Sequence, residues 1–135
     1  MIRTSTLALA ALLTAIAGTA AAKPTGEEQL AQMLKGRVAG KPVDCINMPT
    51  VWSSVVIDKT AIVYESGSTY YVQRPKVGVE SLDSDDILVT RLTSSELCSI
   101  DTIQLHDRTT GFWGGFLGLD KFVPYTRAPK VASAR

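Results

Sequence analysis

Histidine and cysteine are nearly absent from this chain, with one His and two Cys among 135 residues. A nitrogen-and-sulfur metal centre takes four such ligands, and that supply is missing. A redox-active dithiol is also disfavoured, because Cys45 and Cys98 stand far apart and redox pairs use the close Cys-x-x-Cys spacing. Neither sign of charge dominates, since 14 Lys and Arg face 13 Asp and Glu. A nucleic-acid binder shows a basic stripe or patch, so nucleic acid is not an expected partner. The one long apolar run, over residues 7–17, falls well short of the ~20 residues a membrane-spanning helix needs. No Gly-x-Ser-x-Gly elbow is present. Gly111, Gly114, Gly115 and Gly118 do not follow the spacing of a phosphate-cradling loop, and no cofactor is expected.

What the chain does contain begins with an address. Arg3, the apolar run, and then Gly18-Thr19-Ala20-Ala21-Ala22 make the pattern of a cleaved secretory leader. Residues 1–22 are read as a signal peptide, with Lys23 as the mature N-terminus and a periplasmic or secreted destination. Removing 22 of 135 residues leaves 113, enough for one domain over 23–127 followed by a frayed polar tail over 128–135. Arg3 is the one charge lost, so 13 basic residues then balance 13 acidic ones. No second apolar run long enough to span a bilayer follows. Disulfides persist in an oxidising compartment, and two cysteines allow one intramolecular bond, so Cys45 and Cys98 are expected to pair. Closing a loop around half the mature chain stabilises it by about 4 kcal/mol in the chain-entropy account.

Inside and around that loop the chain reads as mostly β with one N-terminal helix. Thr25 and Glu28 form a capping box, and Leu30, Met33 and Leu34 share a helical face, so a helix is predicted over 26–35. Residues 36–42 read as a connector, punctuated by Gly36, Gly40 and Pro42. Runs rich in β-branched and aromatic residues predict strands over 51–57, 61–65, 69–74, 87–92, 100–105 and 121–125. Ser66-Gly67-Ser68 suits a hairpin turn. The expected fold is an antiparallel meander curled into a small barrel or sandwich, stapled by one disulfide.

Residues 97–125 read LCSIDTIQLHDRTTGFWGGFLGLDKFVPY, and residues 43–46 read VDCI. With the leader, these motifs resemble a family of small exported bacterial proteins catalogued as a domain of unknown function. The shared pattern is a cysteine after a helix, a hairpin-rich middle, a Leu-Cys, an Ile-x-Leu strand and a Phe-Val-Pro-Tyr close. Some members carry a further cysteine in the glycine-rich stretch, where this chain has Phe116 and Leu117. The resemblance therefore implies fold and location, with no second disulfide and no activity.

Chemistry-bearing residues are few. His106 precedes Asp107, but neighbours on a strand point to opposite faces, so an acid–base pair would need a carboxylate from elsewhere. Asp83, Asp85 and Asp86 suggest the start of a calcium loop. A full loop needs glycine at its sixth position and a closing glutamate, where this chain has Leu88 and Ser94. No catalytic or metal residues are assigned. The distinctive stretch is Phe112, Trp113 and Phe116 among glycines. Large aromatics are usually buried, so the expectation is a lid folded back over the core, with a partner-contact surface as the other reading.

The function expected is that of a non-enzymatic binding or accessory module in the periplasm, contacting a protein or small ligand of the envelope. The alternative is an inhibitor of a cell-wall-cleaving enzyme. Residues 64–70, YESGSTY, resemble the serine-glycine loop of periplasmic lysozyme inhibitors, which are small β-barrels. An enzyme with an unfamiliar site ranks third, and would show as a buried polar cluster converging on His106.

Overall fold

Thr25 opens the fold in the computed structural model, which describes residues 18–130. Its hydroxyl accepts a hydrogen bond from the Glu28 N–H at 3.2 Å, and the Glu28 carboxylate accepts one from the Thr25 N–H at 2.7 Å. This reciprocal pair satisfies two of the amides that a helix start leaves without partners. Helix α1 spans Gly26–Met33 and buries Leu30, with Met33 and Leu34 packed alongside. It stops short of residue 35 because the chain reverses at Gly36, whose φ of 76° lies in the left-handed region. Residues 1–17 of the expected leader lie outside the described residues, as do residues 131–135 of the expected tail.

Ten strands follow: β1 (Arg37–Ala39), β2 (Cys45–Asn47), β3 (Val51–Ile57), β4 (Ala61–Ser66), β5 (Thr69–Gln73), β6 (Asp86–Thr90), β7 (Glu96–Cys98), β8 (Thr102–Asp107), β9 (Trp113–Gly118) and β10 (Phe122–Arg127). They form three antiparallel sheets with the orders β1-β10-β5-β4-β3, β2-β7 and β6-β8-β9. The sheets do not close on one another, so the architecture is sandwich-like rather than a barrel. Among the described residues the expected fold class holds: mostly β, one α-helix, antiparallel pairing and one disulfide.

The period of two along each strand sorts the side chains into two cores. Ile62 and Tyr64 of β4 and Phe122 of β10 face Ile103 and Leu105 of β8, Leu117 of β9, Ile46 of β2 and Leu97 of β7. On the other face of the large sheet, Ala61, Val63 and Val72 pack with Leu30 of α1 and Ile57. β4 is thus covered on both sides and reads as a continuous apolar run. The β4–β5 turn has Gly67 at its first central position with φ 57°, the conformation that a tight hairpin favours there.

Four elements depart from the sequence reading. β1, within the expected connector, pairs with β10, and β2 pairs with β7. Three residues are too few to display a periodicity, so these strands owe their existence to their partners. The fourth is β9, in the glycine-rich stretch expected to fold as a lid.

Gly78 joins the two halves. Val77 and Gly118 exchange backbone hydrogen bonds at 3.0 and 3.3 Å along the outer edge of β9. Gly78 follows with φ 80°, and a Cβ there would overlap the Phe116 carbonyl. Gly78→Ala is therefore expected to destabilise by about 1–3 kcal/mol through backbone strain alone. Denaturant unfolding checks this, and an unchanged midpoint would contradict the close approach.

Candidate partner-contact face

The three-stranded sheet turns Ile103, Leu105, Leu117 and Leu88 inward. By alternation, the residues between them form an outer face with no layer over it. The register gives its rows. Ile87 stands opposite His106, which stands opposite Trp113; Val89 stands opposite Gln104, which stands opposite Phe116.

Trp113 and Phe116 are three residues apart, a spacing that puts side chains on opposite faces of a regular strand. They share a face because β9 is bulged. Leu105 pairs with Gly115 and His106 with Trp113, so Gly114 is skipped. The extra residue resets the parity and re-aims Trp113. Gly115 beside the bulge takes φ 134°, a conformation open to glycine and costly for other residues.

The lid expectation fails here. Phe112, Trp113 and Phe116 are 75%, 63% and 48% exposed. The residues of this segment that fill the core are Leu117 and Leu119, both essentially buried. Among the described residues eight large apolar side chains are exposed, and five of them, the three aromatics with Ile87 and Ile100, lie on or beside this face. Ile100 borders a depression of about 190 Å³ shared with Val89, Arg91, Thr102 and Gln104. The Gly114-Gly115 pair is the mark this bulge leaves in the sequence. Its consequence for the aromatics needs the register with β8.

The turn that carries Phe112 and Trp113 is held by Asp107. Its Oδ1 accepts from the Thr110 N–H at 2.6 Å, the Thr109 N–H at 2.9 Å and the Thr110 hydroxyl at 2.8 Å. The bond from the Thr110 backbone, above all, holds the Asp107 carboxyl below its ordinary range. His106 Nδ1–H donates to the Gly111 carbonyl at 3.3 Å across the same turn. His106 and Asp107 thus both brace the turn and do not form a pair with each other. Arg108 Nε–H donates to the Asp85 carbonyl at 3.3 Å and ties the turn to the aspartate loop.

That loop is occupied by its own backbone. Asp83 accepts from the Asp85 N–H at 2.9 Å and Asp86 from the Asp83 N–H at 3.3 Å. Burial, foremost, raises the Asp86 carboxyl, and the Asp83, Asp107 and Asp85 charges add to this. Among the described residues the one convergence of metal-ligand types is Cys45, Glu96 and Cys98. Both sulfurs there are spent in the disulfide, with an S–S distance of 2.09 Å.

The disulfide sits where pairing geometry allows it. The Ser99 N–H donates to the Asp44 carbonyl and the Met48 N–H to the Ser95 carbonyl. Alternation then makes Cys45 and Cys98 a non-hydrogen-bonded pair, the class with the closer Cα atoms. Their Cα atoms are 4.0 Å apart.

The Ser66–Thr69 turn, singled out above as inhibitor-like, exposes Gly67 and Ser68. Tyr64 and Glu65 behind it are buried, and the Arg37 guanidinium donates to the Ser68 carbonyl at 2.7 Å.

Compared with family models, with curated proteins and with solved structures, the chain matches none.

Proposed function

We propose that this protein is an exported binding module of the bacterial envelope that holds its partner on the outer face of the β6-β8-β9 sheet. The observation that carries this reading is the β9 bulge, which gathers Trp113 and Phe116 with Ile87 on one uncovered face. Large exposed apolar side chains gathered on one face in this way mark contact sites in globular proteins. Rigid aromatics also supply contact area at little cost in side-chain entropy. Export is supported by the leader pattern and the Cys45–Cys98 bond. No helix among the described residues is long and apolar enough to cross a membrane.

A second reading, inhibition of a cell-wall-cleaving enzyme through the Ser66–Thr69 turn, is favoured by the exposed Gly67 and Ser68 at its tip. It ranks lower because the arginine clamp and the buried Tyr64 and Glu65 leave little of that turn to insert into a cleft.

The two separate in one experiment. Tagged mature protein and its Trp113→Ser/Phe116→Ser variant are used to capture partners from periplasm, and both are assayed against lysozyme. The variant is expected to lose the captured partner while unfolding at an unchanged denaturant concentration, since exposed substitutions usually stay within about ±0.5 kcal/mol. Equal capture by both proteins contradicts the proposal, and lysozyme inhibition that survives in the variant moves the function to the turn.

A further inference from the structure

Two sheet edges face each other without being joined. β3 ends the large sheet and β6 ends the three-stranded one, so each has one side unpaired. At one end they are pinned together. The Lys59 N–H donates to the Leu82 carbonyl at 2.9 Å, and the Ser84 N–H to the Asp58 carboxylate at 2.7 Å. Beyond that pin the edges stay apart. Ser54 and Val56 of β3 and Asp86 and Leu88 of β6 line a cleft of about 360 Å³ between them. Val56 and Leu88, half-buried against the main core, form its floor.

The ladders determine which main-chain groups point into the cleft. The Ile57 carbonyl accepts from the Thr60 N–H in the β3–β4 turn, so Ile57 bonds toward β4. Alternation then turns the N–H and C=O of Val56 and Ser54 away from β4. On the other wall, Asp107 bonds toward β9 through Phe112 and Gly111. Asp86 stands opposite Asp107, so Asp86 and Leu88 turn their groups away from β8. Among the described residues the outward main-chain groups of Ser54, Val56 and Leu88 have no hydrogen-bond partner. Proteins usually guard such an edge with charge, proline or a cover. β9 is covered by Val77, and β1 is three residues long and carries Arg37. β3 has seven residues, with no charge and no proline. Its bulge between Val51 and Ser53 leaves residues 53–57 regular.

A cleft between two open edges selects its occupant. The edge strand of a second copy presents one free side, because its own sheet takes the other. A lone extended segment presents N–H and C=O groups on both sides and can satisfy β3 and β6 together. We propose that this cleft binds a lone extended peptide segment of a partner protein, added as a strand between β3 and β6. Its side chains alternate, so apolar residues at every second position lie on Val56 and Leu88. Main-chain bonds supply the affinity, so recognition tolerates many sequences with that alternation. The inference does not rest on the aromatic face.

The probe is the peptide acetyl-Lys-Thr-Val-Thr-Val-Thr-Lys-amide, titrated into the mature protein and followed by chemical shifts and amide hydrogen exchange. Saturable binding is expected, with exchange at Ser54, Val56 and Leu88 slowed about tenfold or more in the complex. Two analogues test the two edges. Methylating the Val amides removes the donors on one side of the strand, and methylating the Thr amides removes those on the other. Each change is expected to weaken binding by about tenfold or more. Ser54→Pro removes an outward N–H that the β3–β4 ladder does not use, and should weaken binding similarly without loss of fold. Trp113→Ser should leave binding unchanged. The inference is overturned by absence of saturation, by protection centred on Trp113, or by indifference to either methylated analogue, since pairing with one edge is not insertion. It is also overturned if the protein sediments as a dimer with Ser54 and Val56 protected before peptide is added, which gives the edge to a second copy. The analogue results stand even if Ser54→Pro fails to fold.

Discussion

Replacing Cys45 and Cys98 by serine is expected to lower stability by about 4 kcal/mol. The cysteines are 53 residues apart, and the loop they close contains β3, β4, β5 and β6. Without the bond the unfolded chain regains the freedom of that loop. The folded state suffers as well. β2 and β7 are three residues each and pair only with each other, and an isolated two-stranded ribbon is marginal in water. Ile46 and Leu97, on these strands, are buried in the main core and depend on the ribbon for their place. Two-state urea unfolding of the double serine variant measures the loss. A midpoint equal to the wild type's would mean that the ribbon holds by packing alone.

Phe122→Ala is expected to cost about 3–5 kcal/mol, the range for truncating a buried aromatic. Phe122 is fully buried, and its ring meets Tyr64 edge-on with centroids 6.0 Å apart. It sits where β10, the Val43 segment and the small sheets converge, so little can collapse into the space it would leave. Its backbone bonds to Val43, at 2.8 and 2.9 Å, survive the substitution, so the measured loss reports the ring. Trp113→Ala is the contrast. Trp113 is the larger side chain and is mostly exposed, so its removal is expected to change stability by no more than about 0.5 kcal/mol. A large cost at Trp113 would restore the lid reading, and a small one at Phe122 would contradict its place in the core.

The helix start was legible because it is local. Thr25 and Glu28 are three residues apart, and a capping box needs nothing beyond that turn. The strands β3, β4 and β5 were legible from their β-branched and aromatic runs, and the hairpin between β4 and β5 from Gly67. The cysteine pair was legible by arithmetic, since two cysteines allow one bond. Of the candidate contact face, the composition was legible and the orientation was not.

The sequence by itself determined the secondary-structure class, helix α1 and the disulfide partners, because each rests on a local pattern or on a count. Tertiary structure alone decided where β1, β2 and β7 lie, since each is defined by a partner strand distant in the chain. It also decided which aromatics meet solvent. Trp113 and Phe116 face outward because β9 registers against β8 with Gly114 skipped, whereas Leu117 takes the core position beside Ile103. Side-chain parity along a strand follows its pairing, and a one-residue bulge inverts it.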